Sequence, residues 1–494
     1  MKIMFNEDWI HFLWTRYENN IDITENVLKE FIYQYKDTQV TDFAINMNGT
    51  VSTYPSKTRE SFCDKFLAKE ENGVAVDYSD TYAKKAYEIF IEKNLDMYKI
   101  WIDTLRKIGI RPWISFRMND CHGTGESPEL RKSSYVDKHR YLFRIRHRET
   151  NGYYDKIFDY SLEETQKYML DYMEEILTRY KPDGIELDFT REAMMFRPGY
   201  EREGTKKLNE FIFKVKELAR RCVGDIPINI LVMGSVNTCL QLGLDVPYWA
   251  KTGLINSVVL LPRWETINTD YEIGLWKKLL GDKILIGGGQ QLLVKSVKGE
   301  SQGSEGAISN IKMAFGQAAA NLYNGCDFVY LYNYMDICET GLFDVNHSTS
   351  IRQTDNLKKI LKNAGEYKTA IMQERSHVLT YDDYPPFWQE RHARLPVELG
   401  KDCFEAIKIN IGEIREEENA FVILGFSEKP ENVSVYVNCK KAEFDGFGGL
   451  DENITRLNGY RFRIDKDTEF SGYAIVEIKS AEKARLEYAE ITII

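Results

Sequence analysis

No segment of this 494-residue chain reaches 18 consecutive apolar residues, so no membrane-spanning helix is expected. The first residues, Met1 to Asp8, place acids where a signal peptide needs an uninterrupted apolar core, and a cytoplasmic location is expected. Basic surplus is also missing. A formal net charge of −11 argues against the concentrated positive surface that phosphate binding needs, so the expected partner is a neutral or polar small molecule and not a nucleic acid. The eight cysteines, Cys63, Cys121, Cys222, Cys239, Cys326, Cys338, Cys403 and Cys439, include no C-x-x-C pair or regular spacing, and read as reduced thiols. Seven dispersed histidines without an H-x-x-x-H helix give no metal site. Gly287-Gly288-Gly289 lacks the G-x-G-x-x-G order of a dinucleotide site, and no cofactor is expected; these glycines read as a close backbone approach or a tight turn. Neither an internal repeat nor a low-complexity tract is present.

What is present is a long alternation of short apolar strands and amphipathic helices from Lys2 to about Gly365, the pattern of parallel β/α architecture. Candidate strands are Ile3–Phe5 or the following Trp9–Trp14, then Val40–Met47, Arg111–Arg117, Gly184–Phe189, Ile228–Met233, Ser257–Leu261, Ile284–Gly288 and Phe328–Asn333. Eight strands predict a closed (β/α)8 TIM barrel over residues 1–370. The helix before the fourth strand opens on a capping box, Ser161-Leu162-Glu163-Glu164, and stops at Pro182. Gly109 supplies a left-handed stop before the third strand, and Ala314, Ala318, Ala319 and Ala320 mark a helix able to approach its neighbours closely. Past Gly365 the period changes to two, and six strands between Ala406 and Ile493 predict a C-terminal β-sandwich domain over residues 371–494.

Chemistry is expected at the carboxyl ends of the barrel strands. In Asp183-Gly184-Ile185-Glu186-Leu187-Asp188-Phe189-Thr190-Arg191-Glu192, alternation sends Ile185, Leu187 and Phe189 to the helix layer and both Glu186 and Asp188 into the barrel. Two interior carboxylates are costly unless used or paired, and the structural alternative is a buried ion pair with Arg117 or Arg191. The third strand turns Ser115 and Arg117 inward, so Arg117 can neutralise these acids; Asn119, Asp120 and His122 follow as a polar turn or as sugar contacts. Asn48 at the end of the second strand is a candidate hydroxyl ligand. Glu265, at the end of the sixth strand beside Trp264, is the candidate general acid, with Asp120 and Glu192 as alternatives. Trp264 is a candidate sugar platform. Phe328, Tyr330, Tyr332 and Tyr334 should share one face, with Tyr334 near enough the rim to touch substrate.

The stretch Asp183-Gly184-Ile185-Glu186-Leu187-Asp188-Phe189-Thr190-Arg191 resembles the D-G-I-x-L-D-Y-x-R segment of the glycosyl-hydrolase-like barrel families related to the family 10-like group. The resemblance implies a retaining-type or related glycosidase with its carboxylate at Asp188, placed with help from Arg191. Glu192-Ala193 stands where those families often carry Tyr-Pro. The same strand is similar to the D-x-x-D-x-D-x-E strand of family 18 chitinases, but Thr190 occupies the place of the acid there. The function expected is therefore a glycoside hydrolase acting on a carbohydrate substrate with a pair of carboxylates, possible as a homo-oligomer. A non-catalytic carbohydrate-binding barrel is the alternative, and the residue across the pocket from Asp188 discriminates them.

Overall fold

A computed structural model describes residues 1–47, 49–73, 80–120, 122, 124, 130, 132–149, 153–262, 267–291, 293–294, 307–334, 354–380, 395–451, 454 and 456–494. Eight strands form the barrel: β1 (Ile3–Asp8), β2 (Val40–Asn46), β3 (Arg111–Arg117), β4 (Gly184–Asp188), β5 (Ile228–Met233), β6 (Ser257–Leu261), β7 (Leu285–Gln291) and β8 (Phe328–Tyr332). All neighbours are parallel, and the ring closes where Ile3, Met4 and Phe5 pair with Val329, Tyr330 and Leu331. Of the two candidates for the first strand, Trp9–Glu18 is a helix. Asp8 ends the strand and caps that helix, its Oδ1 accepting from the Ile10 amide at 3.3 Å.

Alternation sorts the apolar residues into two cores. Ile3, Phe5, Phe43, Ile45, Ile114, Phe116, Ile185 and Leu187 pack under the helices, while Met4, Ala44, Trp113, Leu231, Val259, Leu261, Phe328, Tyr330 and Tyr332 fill the barrel. The glycines make that filling possible. A Cβ on Gly184 would sit 2.3 Å from the Trp113 ring, one on Gly287 2.6 Å from Phe328, and one on Gly289 2.3 Å from Leu261. The triple glycine therefore lies inside β7, as a slender stave beside bulky neighbours, and not in a turn after it.

The helix before β4 runs Glu163–Tyr180, with Met169, Met173, Ile176 and Tyr180 buried, and Lys181 ends it in the left-handed conformation before Pro182. Its predicted capping box does not form. Leu162 is the N-cap, and the Ser161 hydroxyl instead donates to Asp159 Oδ1 at 2.6 Å. Gly109 is left-handed at φ 83°, as its position predicted.

The C-terminal part is a β-sandwich. Strands β9 (Arg375–Leu379), β10 (Val397–Leu399), β11 (Phe404–Gly412), β12 (Ala420–Phe426), β13 (Ser434–Val437), β14 (Lys440–Lys441), β15 (Glu443–Phe447), β16 (Asn458–Arg463), β17 (Gly472–Lys479) and β18 (Ala484–Ile493) form two antiparallel sheets. One runs β9-β18-β12-β16-β15 with β10 also on β18, the other β11-β17-β13-β14. Sequence periodicity missed β9, β10, β14 and β15, which are short or lie at or near sheet edges. Among the described residues no helix is long and apolar enough to cross a membrane.

The sandwich is seated on the barrel through several contacts, among them Lys408 on Asp270, Asn410 on the Thr269 carbonyl and a cluster of Ile267, Met313, Val378 and Tyr488, and the tightest lies at one small residue. Gly316, in the helix Ile311–Tyr323 before β8, lies so close to β9 that an added Cβ would be 2.1 Å from the Ser376 carbonyl oxygen. Backbone cannot step aside as a flexible side chain can. Gly316→Ala is expected to destabilise the protein by about 1–3 kcal/mol, through forced separation of helix and strand. Gly274→Ala, whose Cβ would meet nothing within 4 Å, is the control. Thermal unfolding of the two variants checks this: equal melting temperatures would refute the tight contact.

Candidate active site

At the carboxyl rim, the last residues of β1, β3 and β4 are Asp8, Arg117 and Asp188, and Asn333 follows β8. All four are buried. The Arg117 guanidinium donates through Nη2 to Asp8 Oδ2 at 2.8 Å and to Asn333 Oδ1 at 3.1 Å, and its Nη1 lies 3.7 Å from Asp120 Oδ2. Arg117 thus ties three strands together, with Asp8 rather than Asp188 as its hydrogen-bonded acid.

Asp188 is 1% exposed. Its Oδ1 accepts from the Thr190 amide (2.7 Å), the Thr190 hydroxyl (2.6 Å) and the Arg191 amide (3.2 Å), closing an Asx-type turn immediately after β4. Its Oδ2 accepts from the Tyr332 hydroxyl at 2.9 Å, across the barrel. The D-F-T-R sequence is therefore a local device: the aspartate organises the two residues after the strand, and they orient it.

Below Asp188 on the same face, Glu186 is fully buried. Tyr330 donates to its Oε1 at 2.6 Å, Asn6 to the same oxygen at 3.4 Å, and Asn229 to Oε2 at 2.9 Å. Ser257 in turn donates to Asn229 Oδ1 at 2.7 Å. Burial, with the Asp188 charge adding to it, pushes the Glu186 carboxyl up to about 7. Between its ordinary value of 4.5 and about 7 the unfolded chain ionises here while the folded chain keeps its proton. The folded state then binds more protons, so this group's contribution to stability falls as pH rises through that window. Glu186→Gln removes this titration. The variant is expected to gain on the order of 3 kcal/mol relative to wild type between the two ends of the window, from about 1.4 kcal/mol per unit. Denaturant unfolding of both proteins across this range measures it, and a pH-independent difference would refute it.

In the loop after β3, Asp120 Oδ1 lies 2.6 Å from His122 Nδ1, and His122 Nε2 lies 3.2 Å from Arg191 Nη2. Burial opposes ionisation of Asp120, but His122, Arg117 and Arg191 outweigh it and hold the carboxyl well below its ordinary value. Glu192 has the opposite environment. Buried and near the charges of Asp120 and Asp188, it is pushed up to about 8 although Arg191 and Arg117 pull the other way. Two carboxyl groups of one rim are thus driven apart in protonation.

The remaining candidates divide. Asn119 is a structural staple: its Nδ2 donates to the Phe158 and Met194 carbonyls at 2.9 and 3.1 Å, and its Oδ1 accepts from the Phe158 amide at 2.8 Å. Tyr334 does not share the face of Tyr330 and Tyr332. Asn333 is left-handed (φ 50°) and breaks the alternation, so Tyr334 joins the core under the helices and its hydroxyl donates to Gln290 Oε1 at 3.2 Å. Asn48, Trp264 and Glu265 lie outside the described residues. Sequence reasoning missed Asp8, Asn6, Asn229 and Asn333; the first two were readable had the Met4 alternation been followed to the end of β1. Among the described residues no cluster of three or more His, Cys, Asp or Glu could hold a metal ion.

No family model and no curated protein matches the sequence. Solved structures do. The chain is similar to an α-L-fucosidase isoenzyme 2 from Paenibacillus thiaminolyticus, at 13% identity and TM-score 0.43 over 73% of this chain and 48% of that one. A GH36 α-galactosidase from Geobacillus stearothermophilus is similar at 12% identity and TM-score 0.37, covering 97% and 55%. A group II chitinase catalytic domain from Ostrinia furnacalis is similar at 10% identity and TM-score 0.40, covering 73% and 95%. The chain spans about half the length of the fucosidase and the galactosidase. All three carry the names of glycosidases; the barrel itself is established by its own closed ring of strands.

Proposed function

We propose that this chain is a glycoside hydrolase, with a barrel of residues 1–370 as the catalytic body, residues 371–494 as its supporting sandwich, and a carbohydrate as substrate. The observation that carries the reading is a pair of buried rim carboxyl groups with different surroundings. Asp188 receives four hydrogen bonds, while Glu192 is buried and pushed up to about 8. Glycosidic cleavage needs one carboxylate to stabilise or attack the anomeric carbon and one carboxylic acid to protonate the leaving oxygen. Asp188 takes the first role. Glu192 takes the second in place of Asp120, whose surroundings keep it ionised, and Glu265 is its competitor.

Arg117 and Tyr332 position the site: the first joins Asp8, Asp120 and Asn333, the second holds Asp188 Oδ2. A non-catalytic carbohydrate-binding barrel is the second reading, favoured by one fact, that Asp188 is 1% exposed with both oxygens occupied. Incubation with a panel of activated aryl glycosides, then with the matching mechanism-based fluorosugar and peptide mapping, separates the two. Hydrolysis and a label on Asp188 support the hydrolase. Sugar binding without turnover supports the second reading.

A further inference from the structure

The sandwich carries aromatic surface that its own core does not use. Strand β15 is the free edge of the first sheet, and the strand at the corresponding end of the second sheet, β14, is only Lys440–Lys441. In register, Phe444 pairs with Phe462 and Phe447 with Tyr460, so each couple shares a face. A bulge between Phe444 and Gly446 resets the alternation, which is why two phenylalanines three residues apart point the same way. Their partners Phe462 and Tyr460 belong to the sandwich core, 1% and 4% exposed. Phe444 and Phe447 stand on that face where the opposite sheet is too short to cover them, and are 50% and 77% exposed. Their rings lie edge to face with centroids 5.2 Å apart, and Phe447 sits 5.1 Å from Tyr460.

Beside these rings is a hollow of about 370 Å³, lined by Val433, Ala442, Phe444 and Phe462 on its apolar side and by Ser434, Lys441 and Glu443 on its polar side; Phe447 stands next to it, against Phe444. That volume is within the range of small-molecule sites, and the lining mixes polar and apolar surface in nearly equal measure. The charges narrow the ligand. Lys441 and Glu443 bring one of each sign, so the lining carries no net charge to attract a phosphate or a carboxylate. Acceptor, donor and hydroxyl are all present, which a lipid tail would leave unused. A neutral pyranose ring answers each feature: an apolar C–H face for the aromatic rings, and hydroxyls that both donate and accept.

We propose that this edge of the sandwich is a carbohydrate-binding site, holding a neutral sugar ring against Phe444 and Phe447 with its hydroxyls toward Ser434, Lys441 and Glu443. It needs nothing from the barrel's chemistry and stands whether or not the barrel hydrolyses sugars.

Affinity gel electrophoresis of the full chain in soluble β-glucan, xylan, α-glucan and galactomannan tests it, with Phe447→Ala and Glu443→Gln run beside wild type. At least one polysaccharide is expected to retard the wild-type protein. Phe447→Ala should weaken that retardation about tenfold, the loss of one stacking ring, without lowering the melting temperature, because the ring is mostly in water. Glu443→Gln should weaken it less. No retardation in any of the four, or equal retardation of wild type and Phe447→Ala, overturns the proposal, the latter placing sugar binding elsewhere. So does a sugar-free dimer that Phe447→Ala dissociates in sedimentation, since the patch would then be covered by a second copy. Asp188→Asn should leave the Phe447-dependent part of the retardation intact, which separates failure here from failure of the hydrolase reading.

Discussion

Asp188→Asn is expected to lower kcat/KM on a verified glycoside by about 10³-fold or more, with a melting temperature within a few degrees of wild type. The fold should survive because the substitution keeps the geometry. The amide oxygen still accepts from Thr190 and Arg191, and the amide nitrogen faces Tyr332, whose hydroxyl oxygen can accept. Only the charge is lost, and charge is what a developing oxocarbenium ion requires. Asp188→Ala is a poorer experiment, because it removes the acceptor that closes the turn after β4 and mixes loss of structure with loss of chemistry. Near wild-type turnover by Asp188→Asn would remove this residue from the mechanism and leave the carboxylate as a turn-forming element.

Glu192→Gln is expected to slow glycosides with poor leaving groups by about 10²–10⁴-fold and activated aryl glycosides far less, since a good leaving group departs without a proton. The pH profile supplies an independent check. A general acid works while protonated, so wild-type kcat/KM should fall as pH rises through about 8, where the Glu192 carboxyl ionises, and the variant should lose that limb. If Glu265→Gln shows the leaving-group dependence and Glu192→Gln does not, the proton comes from the loop after β6, and Glu192 is a buried structural acid.

The barrel was legible because its signal is repeated eight times: each strand is a short apolar run with its own inward and outward set, and no single misreading changes the count. Misreadings occurred where two local roles overlap in one residue. Asp8 both ends a strand and caps a helix, so an apolar-run criterion stopped the strand at Phe5 and offered Trp9–Trp14 as its rival. The inward placement of Glu186 and Asp188 followed from alternation alone. Their partners did not, because Asn6, Asn229, Tyr330 and Tyr332 come from strands about 40 to 180 residues away, and a polar side chain on a strand does not announce which neighbour it meets. Tyr334 shows the limit of the same rule: one left-handed asparagine, invisible to a periodicity argument, turns it to the other side. The opposed environments of Asp120 and Glu192 arise from burial and from guanidinium groups brought in by the end of β3 and by the loop after β4, and spacing carries no trace of that.

The closure of the ring between β1 and β8 also sets an order of events during synthesis. Ile3, Met4 and Phe5 are made more than 300 residues before their partners Val329, Tyr330 and Leu331. Throughout that interval β1 can pair only with β2, and its other edge offers unpaired backbone groups to any passing strand. The helix Ile311–Tyr323 must in addition wait for β9 before Gly316 has its neighbour. A newly made chain is therefore an open, curling sheet until β8 has emerged, and that last barrel strand converts the sheet into a body with no edges.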